Sequence, residues 1–235
     1  MQRSTAVHNR RENMMKKIIL DLCGGTGSWS EPYKNRGGNY DVRVITLPHY
    51  DIFEIELIKE SGIVRMWNNT EKRQEDIIAK DVHGILAAPT CTMFSFARTT
   101  GKTPRDLEGG MILVQKCLEI IWFCRWQQDS SLKWWALENP QGYMRQFLGK
   151  PPLTFNPCDY GDTYTKKTDL WGFYNLPKVS KREMTQEEKE RCAINKRILP
   201  ELPEDYVMPE GWNKMAARRS MTSKKFAEAF CRANP

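Results

Sequence analysis

The chain has 235 residues, 40% hydrophobic and 28% charged, enough for one large domain or a domain with a small appendage that needs no disulfides or structural metal. Its most apolar stretch, 111–124, is broken by Gln115, Lys116 and Glu119, which is too short and too polar for a bilayer span. The net charge of +7 sits at the ends: residues 1–17 carry +4, residues 178–235 carry +4, and everything between nets −1.

Basic ends on a near-neutral body suit a core whose extensions touch a polyanion such as DNA or RNA. Two solvated, solubilising tails fit the same numbers. Residues 1–14 read as a loosely attached basic arm without the apolar core of a secretory leader. Lys17-Ile-Ile-Leu-Asp21 is a short apolar run feeding Gly24, Gly25 and Gly27, the pattern of a buried parallel strand entering a glycine-rich turn. A second strand is expected over 42–47 and a third over 83–88, stopped by Pro89. The charged stretch between them, 55–80, is expected to be partly helical.

From Thr103 to Gln128, Met111, Val114, Leu118 and Ile121 recur at helical spacing after a Thr-Pro start. A further strand over 132–137 runs into a polar Glu138-Asn139-Pro140 turn. Strands alternating with helices imply an α/β fold with a mostly parallel sheet, whose ligands sit beyond the carboxyl ends of the strands. Asp21, Cys91 and Glu138 all follow such ends and should converge. The Lys/Glu-rich region 176–215 reads as an insertion or small subdomain.

Three segments could carry chemistry. The turn Asp21-Leu22-Cys23-Gly24-Gly25-Thr26-Gly27 lets the backbone approach a ligand and offers amides to an anionic group. Its spacing is not G-x-G-x-x-G, so a dinucleotide site is disfavoured, and a tight strand–helix turn without a ligand is the lesser alternative. Cys91, just past a strand end and flanked by hydroxyls, is placed as a nucleophile, although isolated cysteines are more often core filler. Glu138 follows a strand with two tryptophans, and the desolvation expected there raises a carboxyl pKa; a helix cap or a lysine partner is the plainer role. The seven cysteines are odd in number and contain no C-x-x-C pair, so no metal site or disulfide framework is expected.

Taken together and in order, these segments resemble the cytosine-C5 DNA methyltransferase family, and its short phage- or prophage-type members most. The resemblance rests on Asp21 to Gly27, on Cys91-Thr92-Met93-Phe94-Ser95 behind Pro89-Thr90, and on Glu138-Asn139-Pro140. It continues through Tyr160-Gly161, Tyr164-Thr165-Lys166-Lys167-Thr168 and the terminal stretch Arg219 to Phe230. Thr90 and Thr92 stand where the family has proline and glutamine, and Lys166 and Thr168 where it has arginines. The resemblance implies a Rossmann-like S-adenosylmethionine-dependent methyltransferase fold with a reduced target-recognition region. The implied layout is an arm over 1–14, a catalytic core over 15–175, an insertion over 176–215, and a C-terminal helix over 216–235 completing the core.

The resemblance also implies roles. Cys91 would add to C6 of cytosine, Glu138 would hold N3 and the exocyclic amine, Asn139 would fix the loop, and Lys166 would lie near the base or a phosphate. Asp21, Leu22, Gly24, Gly25, Gly27, Trp29, Asp51 and Pro89 would hold S-adenosylmethionine, with Trp29 either stacking on it or filling core. Ser95, Arg98, Thr168, Lys178, Lys181 and Arg182 would meet nucleic acid, though the last three fit a solvated charged face as well. DNA with a flipped cytosine is the expected partner, in the cytoplasm of a bacterium or phage-infected host, with no membrane or metal and a monomer favoured. The rivals are the same chemistry on tRNA, a changed transferred group or pyrimidine target, and a non-catalytic nucleic-acid-binding relative.

Overall fold

The computed structural model describes residues 16–98, 103–180, 182–193 and 199–235; the basic arm over 1–14 lies outside the described residues. In chain order the elements are β1 (Lys17–Leu22), α1 (Glu31–Lys34), β2 (Tyr40–Ile45), β3 (Glu56–Ile58), β4 (Ile63–Asn68), β5 (Arg73–Ile78), β6 (Val82–Ala87) and α2 (Leu107–Arg125). They continue as β7 (Trp134–Pro140), α3 (Met144–Leu148), β8 (Leu153–Phe155), β9 (Thr168–Phe173), α4 (Gln186–Ala193), α5 (Lys214–Ser220) and α6 (Lys224–Ala233).

The main sheet has the order β2-β1-β6-β7-β9-β8. β1, β2, β6 and β7 run parallel, and β9 runs against both β7 and β8. All its strands but β9 therefore point the same way, giving the mostly parallel α/β sheet that the alternation predicts, of the Rossmann-like kind that the resemblance implies. β1 and β6 are mostly apolar, broken only by Lys17, Asp21 and His83, because both faces of the sheet are covered. On one face Leu20, Leu22, Ile85 and Ala87 join Val114, Cys117, Ile120 and Ile121 of α2. On the other, Ile19, Leu86 and Trp134 join Tyr33 of α1 and Phe226 and Phe230 of α6. Each such large apolar side chain taken fully from water contributes about 1.5–3 kcal/mol.

Two expectations change. The stretch 55–80 holds the antiparallel sheet β3-β4-β5 and no α-helix. Its charge hid a period of two: Val64, Met66 and Asn68 are buried while Arg65 and Trp67 lie further out. Cross-strand pairs such as Arg65–Asp76 at 2.9 Å fill the outer face. Gly62 and Lys72 supply the positive φ values of the two turns, +63° and +52°. Second, Glu138-Asn139-Pro140 is the paired end of β7, not a turn, because β9 runs alongside it with Glu138 opposite Leu170 and Pro140 opposite Thr168.

The expected C-terminal helix is two helices. Ser223 caps α6 by accepting from Phe226 N–H, and the Ser223 hydroxyl also donates to Asp162. The β1–β6 boundary, where the chain winds outward in opposite directions, is the crevice where such sheets take ligands.

Candidate functional site

One cavity of about 670 Å³ opens at the carboxyl ends of β1, β6 and β7, within the range of small-molecule sites. One half is built by the glycine turn. Gly24 passes so close to Asp21 that a β-carbon there would sit 2.5 Å from the Asp21 Cγ, so only glycine fits. Asp21 is fully buried. Its Oδ2 accepts from the Ser30 hydroxyl at 2.6 Å, while Oδ1, like the Thr26 hydroxyl, is buried with no hydrogen-bond partner. Burial pushes the Asp21 carboxyl up to about 6, against the opposing pull of the Ser30 hydroxyl and Lys34.

Gly25, Asp51 and Pro89 also line this half, and Asp51 uses Oδ1 to accept from Phe53 N–H at 2.9 Å. Leu22 and Gly27 are buried behind the lining. Trp29 touches the cavity but is 1% exposed. Its ring packs edge-on to Phe230, with centroids 5.5 Å apart, so of its two expected roles it fills core.

The other half is built around Cys91. The chain leaves β6 at Pro89, whose carbonyl accepts from the buried Asn139 amide at 2.9 Å. The Cys91 carbonyl accepts from Phe94 N–H at 3.0 Å and Ser95 N–H at 2.9 Å, curling the loop into a single turn. Gly142 lets the segment after β7 close on this loop: a β-carbon there would meet the Phe94 carbonyl oxygen at 2.1 Å. The Asn139 amide thus ties the start of this loop to the end of β7. Cys91, Glu138 and Lys166 all line the cavity, and the Lys166 Nζ lies 3.9 Å from a Glu138 carboxyl oxygen.

Burial raises the Glu138 carboxyl above the ordinary carboxylate range, and the Lys166 ammonium opposes that rise. Burial likewise pushes the Cys91 thiol up, Lys166 pulls it down, and an ionised Glu138 adds to the rise. The three groups therefore share one proton problem: with Glu138 protonated and Lys166 charged, the thiolate of Cys91 is at its most favourable.

The residues expected on nucleic acid are placed differently. Ser95 is buried and its hydroxyl accepts from Ala97 N–H at 3.2 Å. Thr168 is buried and donates to the Lys166 carbonyl at 2.7 Å, which sets the backbone of the cavity lysine. Arg98 is engaged by its own loop, donating to the Thr103 carbonyl and hydroxyl at 3.0 and 2.9 Å. Arg182 is paired with Glu188 at 2.8 Å, Lys178 is exposed, and Lys181 lies outside the described residues. None of the described ones lines the cavity.

Reading the sequence missed part of the third wall, Tyr206, Trp212 and Asn213, which close the cavity from the chain's end. Arg219 and Thr222 of the terminal stretch, which the resemblance implies returns to the cofactor pocket, line it beside them, and Thr222 N–H donates to the Ser28 hydroxyl of the glycine turn at 2.9 Å. The usable signal was two aromatics, Tyr206 and Trp212, set in an otherwise polar, proline-punctuated stretch. Cys23 and Thr26 also line the cavity, within a motif read for Asp21, Leu22 and its glycines.

Among the described residues no group of three or more His, Cys, Asp or Glu is arranged to hold a metal, and no helix is long and apolar enough to cross a membrane. No protein-family model matches the chain, and no curated protein matches it. Among solved structures, a methyltransferase of Entamoeba histolytica, EhMeth, aligns with a TM-score of 0.39 and 9% identity over 73% of this chain and 58% of that one.

Proposed function

We propose that this chain is an S-adenosylmethionine-dependent methyltransferase that modifies carbon 5 of cytosine in DNA through a covalent bond from Cys91 to C6. The observation that carries the reading is one cavity in which Cys91, Glu138 and Lys166 face the same space as the glycine turn and Asp21. A volume of about 670 Å³ has room for a nucleoside-sized cofactor and a base together.

The residues suit that cofactor. Asp21 offers a buried carboxylate oxygen without a partner, a fitting acceptor for an amino-acid ammonium group. The Thr26 hydroxyl and the amides of the turn suit the neighbouring carboxylate, and Asp51 is placed for a hydroxyl or amine of the nucleoside. When bound, S-adenosylmethionine supplies an electrophilic methyl group on a sulfonium for C5 of the base.

The chain's own groups do the rest. Cytosine C5 is a poor nucleophile until a thiolate adds at C6, and Cys91 supplies that thiolate. Attack pushes negative charge into the ring toward N3. Glu138, whose carboxyl pKa burial raises, donates a proton or hydrogen bond there and accepts from the exocyclic amine. Lys166 stabilises the thiolate before attack and the ring charge after it. Asn139, through Pro89, keeps the loop fixed so that sulfur and ring meet in line. A base then takes the C5 proton, the C5–C6 double bond re-forms, and Cys91 leaves as the thiolate. In a duplex the base must first flip out, at a cost of about a few kcal/mol.

Trapping on DNA containing 5-fluorocytosine tests this, since fluorine at C5 cannot leave as a proton does. A denaturing gel should show an adduct that requires both S-adenosylmethionine and Cys91, and is lost in Cys91→Ala. If a cofactor-binding preparation gives no adduct on single- or double-stranded DNA, the DNA reading falls; an adduct on 5-fluorocytosine RNA would move the same chemistry to RNA.

A further inference from the structure

Two thiols that the proposed chemistry does not use meet directly under the cavity. Cys23 lines the cavity from the glycine turn, and its Sγ lies 3.9 Å from the Sγ of Cys117, which is fully buried in the middle of α2. Cys23 is held there by its backbone. It takes a left-handed φ of 56°, uncommon for a residue with a side chain, and its N–H donates to the Ile45 carbonyl at 2.8 Å. The pair links the two segments that frame the site: the glycine turn, and the helix that begins after the Cys91 loop and sends Leu113 into the same cavity.

We propose that Cys23 and Cys117 form a reversible disulfide that closes the cofactor half of the site under hydroperoxide stress, and that an occupied cavity protects against it. The geometry sets the order of events. Cys23 alone of the pair faces the cavity, so a hydroperoxide reaches it first: the thiolate attacks the peroxide oxygen, giving a sulfenic acid and releasing water or the alcohol. Cys117 is too buried to meet the oxidant but already lies against Cys23. Its sulfur displaces the sulfenic oxygen as a second water, leaving the S–S bond and two protonated products. The neighbouring Cys23 sulfur and burial push the Cys117 thiol well up, so Cys117 acts as the resolving partner once Cys23 has been oxidised. The bond therefore forms on oxidant challenge and stays open otherwise. Sulfurs 3.9 Å apart must approach by almost half that distance to bond. Cys117 is fixed in mid-helix and Cys23 sits in a turn, so closing the gap draws on the turn and carries Gly24, which has no room beside Asp21, and the cofactor turn distorts. That last consequence rests on the cofactor reading proposed above.

The test treats the whole reduced protein with hydrogen peroxide, with and without S-adenosylhomocysteine, then blocks free thiols and maps peptides. Fragmentation separates Cys117 from the nearby Cys124. The expected result is a Cys23–Cys117 cross-link that dithiothreitol reverses, forms more slowly with S-adenosylhomocysteine present, and weakens binding of that compound roughly tenfold or more. In Cys117→Ala the cross-link should be absent and Cys23 should instead react with dimedone. Over-oxidation of Cys23 while Cys117 stays a free thiol overturns the proposal, and so does a cross-link that leaves affinity unchanged. If the reduced protein binds no S-adenosylhomocysteine, the cofactor reading fails and the cross-link alone decides whether the pair is reactive.

Discussion

The two halves of the cavity each contain one buried carboxyl group raised by burial, and they differ in what answers it. In the glycine-turn half, Asp21 is satisfied on one oxygen by Ser30 and on the other by nothing. In the Cys91 half, Glu138 faces the protein's own cation, Lys166, at 3.9 Å. The first half leaves one Asp21 oxygen for a ligand's positive charge, since Lys34 acts on that carboxyl by charge alone and not by a hydrogen bond. The second is close to neutral and can pass a proton between carboxyl, thiol and substrate. A cation-bearing cofactor in one half and an uncharged ring in the other would use both, and the contrast can be broken at each residue in turn.

The largest effect should come from Glu138→Gln, which keeps the shape and removes the proton. Adduct formation should slow roughly a hundredfold to ten-thousandfold, with S-adenosylhomocysteine affinity unchanged by calorimetry. Equal losses of binding and chemistry would mean the halves are not separable.

Asp21→Asn should do the opposite, weakening cofactor binding about tenfold to a hundredfold while leaving Cys91 reactive to alkylation. Two pH trends follow from a carboxyl raised from 3.8 to about 6. Binding of a cation needs the ionised form, so wild-type affinity should fall as pH drops through about 6, and the variant should lack that fall. For the ligand-free fold the sign is reversed. A raised carboxyl contributes stability that is fully present below pH 3.8 and lost as pH rises through about 6, so its ionisation costs about 3 kcal/mol. Asp21→Asn should therefore unfold at a higher temperature than ligand-free wild type at pH 7 to 8.

Lys166→Met should move the pH profile of Cys91 alkylation to higher pH, because the cation that favours the thiolate is gone; an unmoved profile would detach Lys166 from the thiol. The smallest effect is expected from Arg182→Ala. That side chain is exposed, pairs with Glu188 and lines no part of the cavity, so DNA affinity measured against salt should keep its slope.

Much of the site was readable because its chemistry sits where parallel strands end. Asp21 follows an apolar run and Cys91 follows another, and both positions are local facts of sequence. Lys166 was readable only as a place in a motif order. Its meeting with Glu138 depends on β9 running antiparallel beside β7, a pairing between segments about 30 residues apart. The three-stranded sheet over 56–78 was missed because charged residues on an outer face mask a period of two. The wall at Tyr206 and Trp212 was missed because nothing local says which cavity a polar, proline-rich segment will cover, whereas Arg219 belongs to the terminal stretch that the motif order places at the cofactor pocket.

The residues by themselves determined the alternating α/β order, the glycine turn, and the placing of an acid, a thiol and a second acid after successive apolar strands. Each of these follows from short-range sterics and from the hydrophobicity of strands buried on both faces. Only the tertiary structure decided which nucleic-acid candidates were spent on internal hydrogen bonds, that Trp29 fills core, and that Cys23 lies against Cys117. Those outcomes depend on which distant surfaces pack together, and a side chain's partner across 94 residues is set by the folding of the sheet and helices between them.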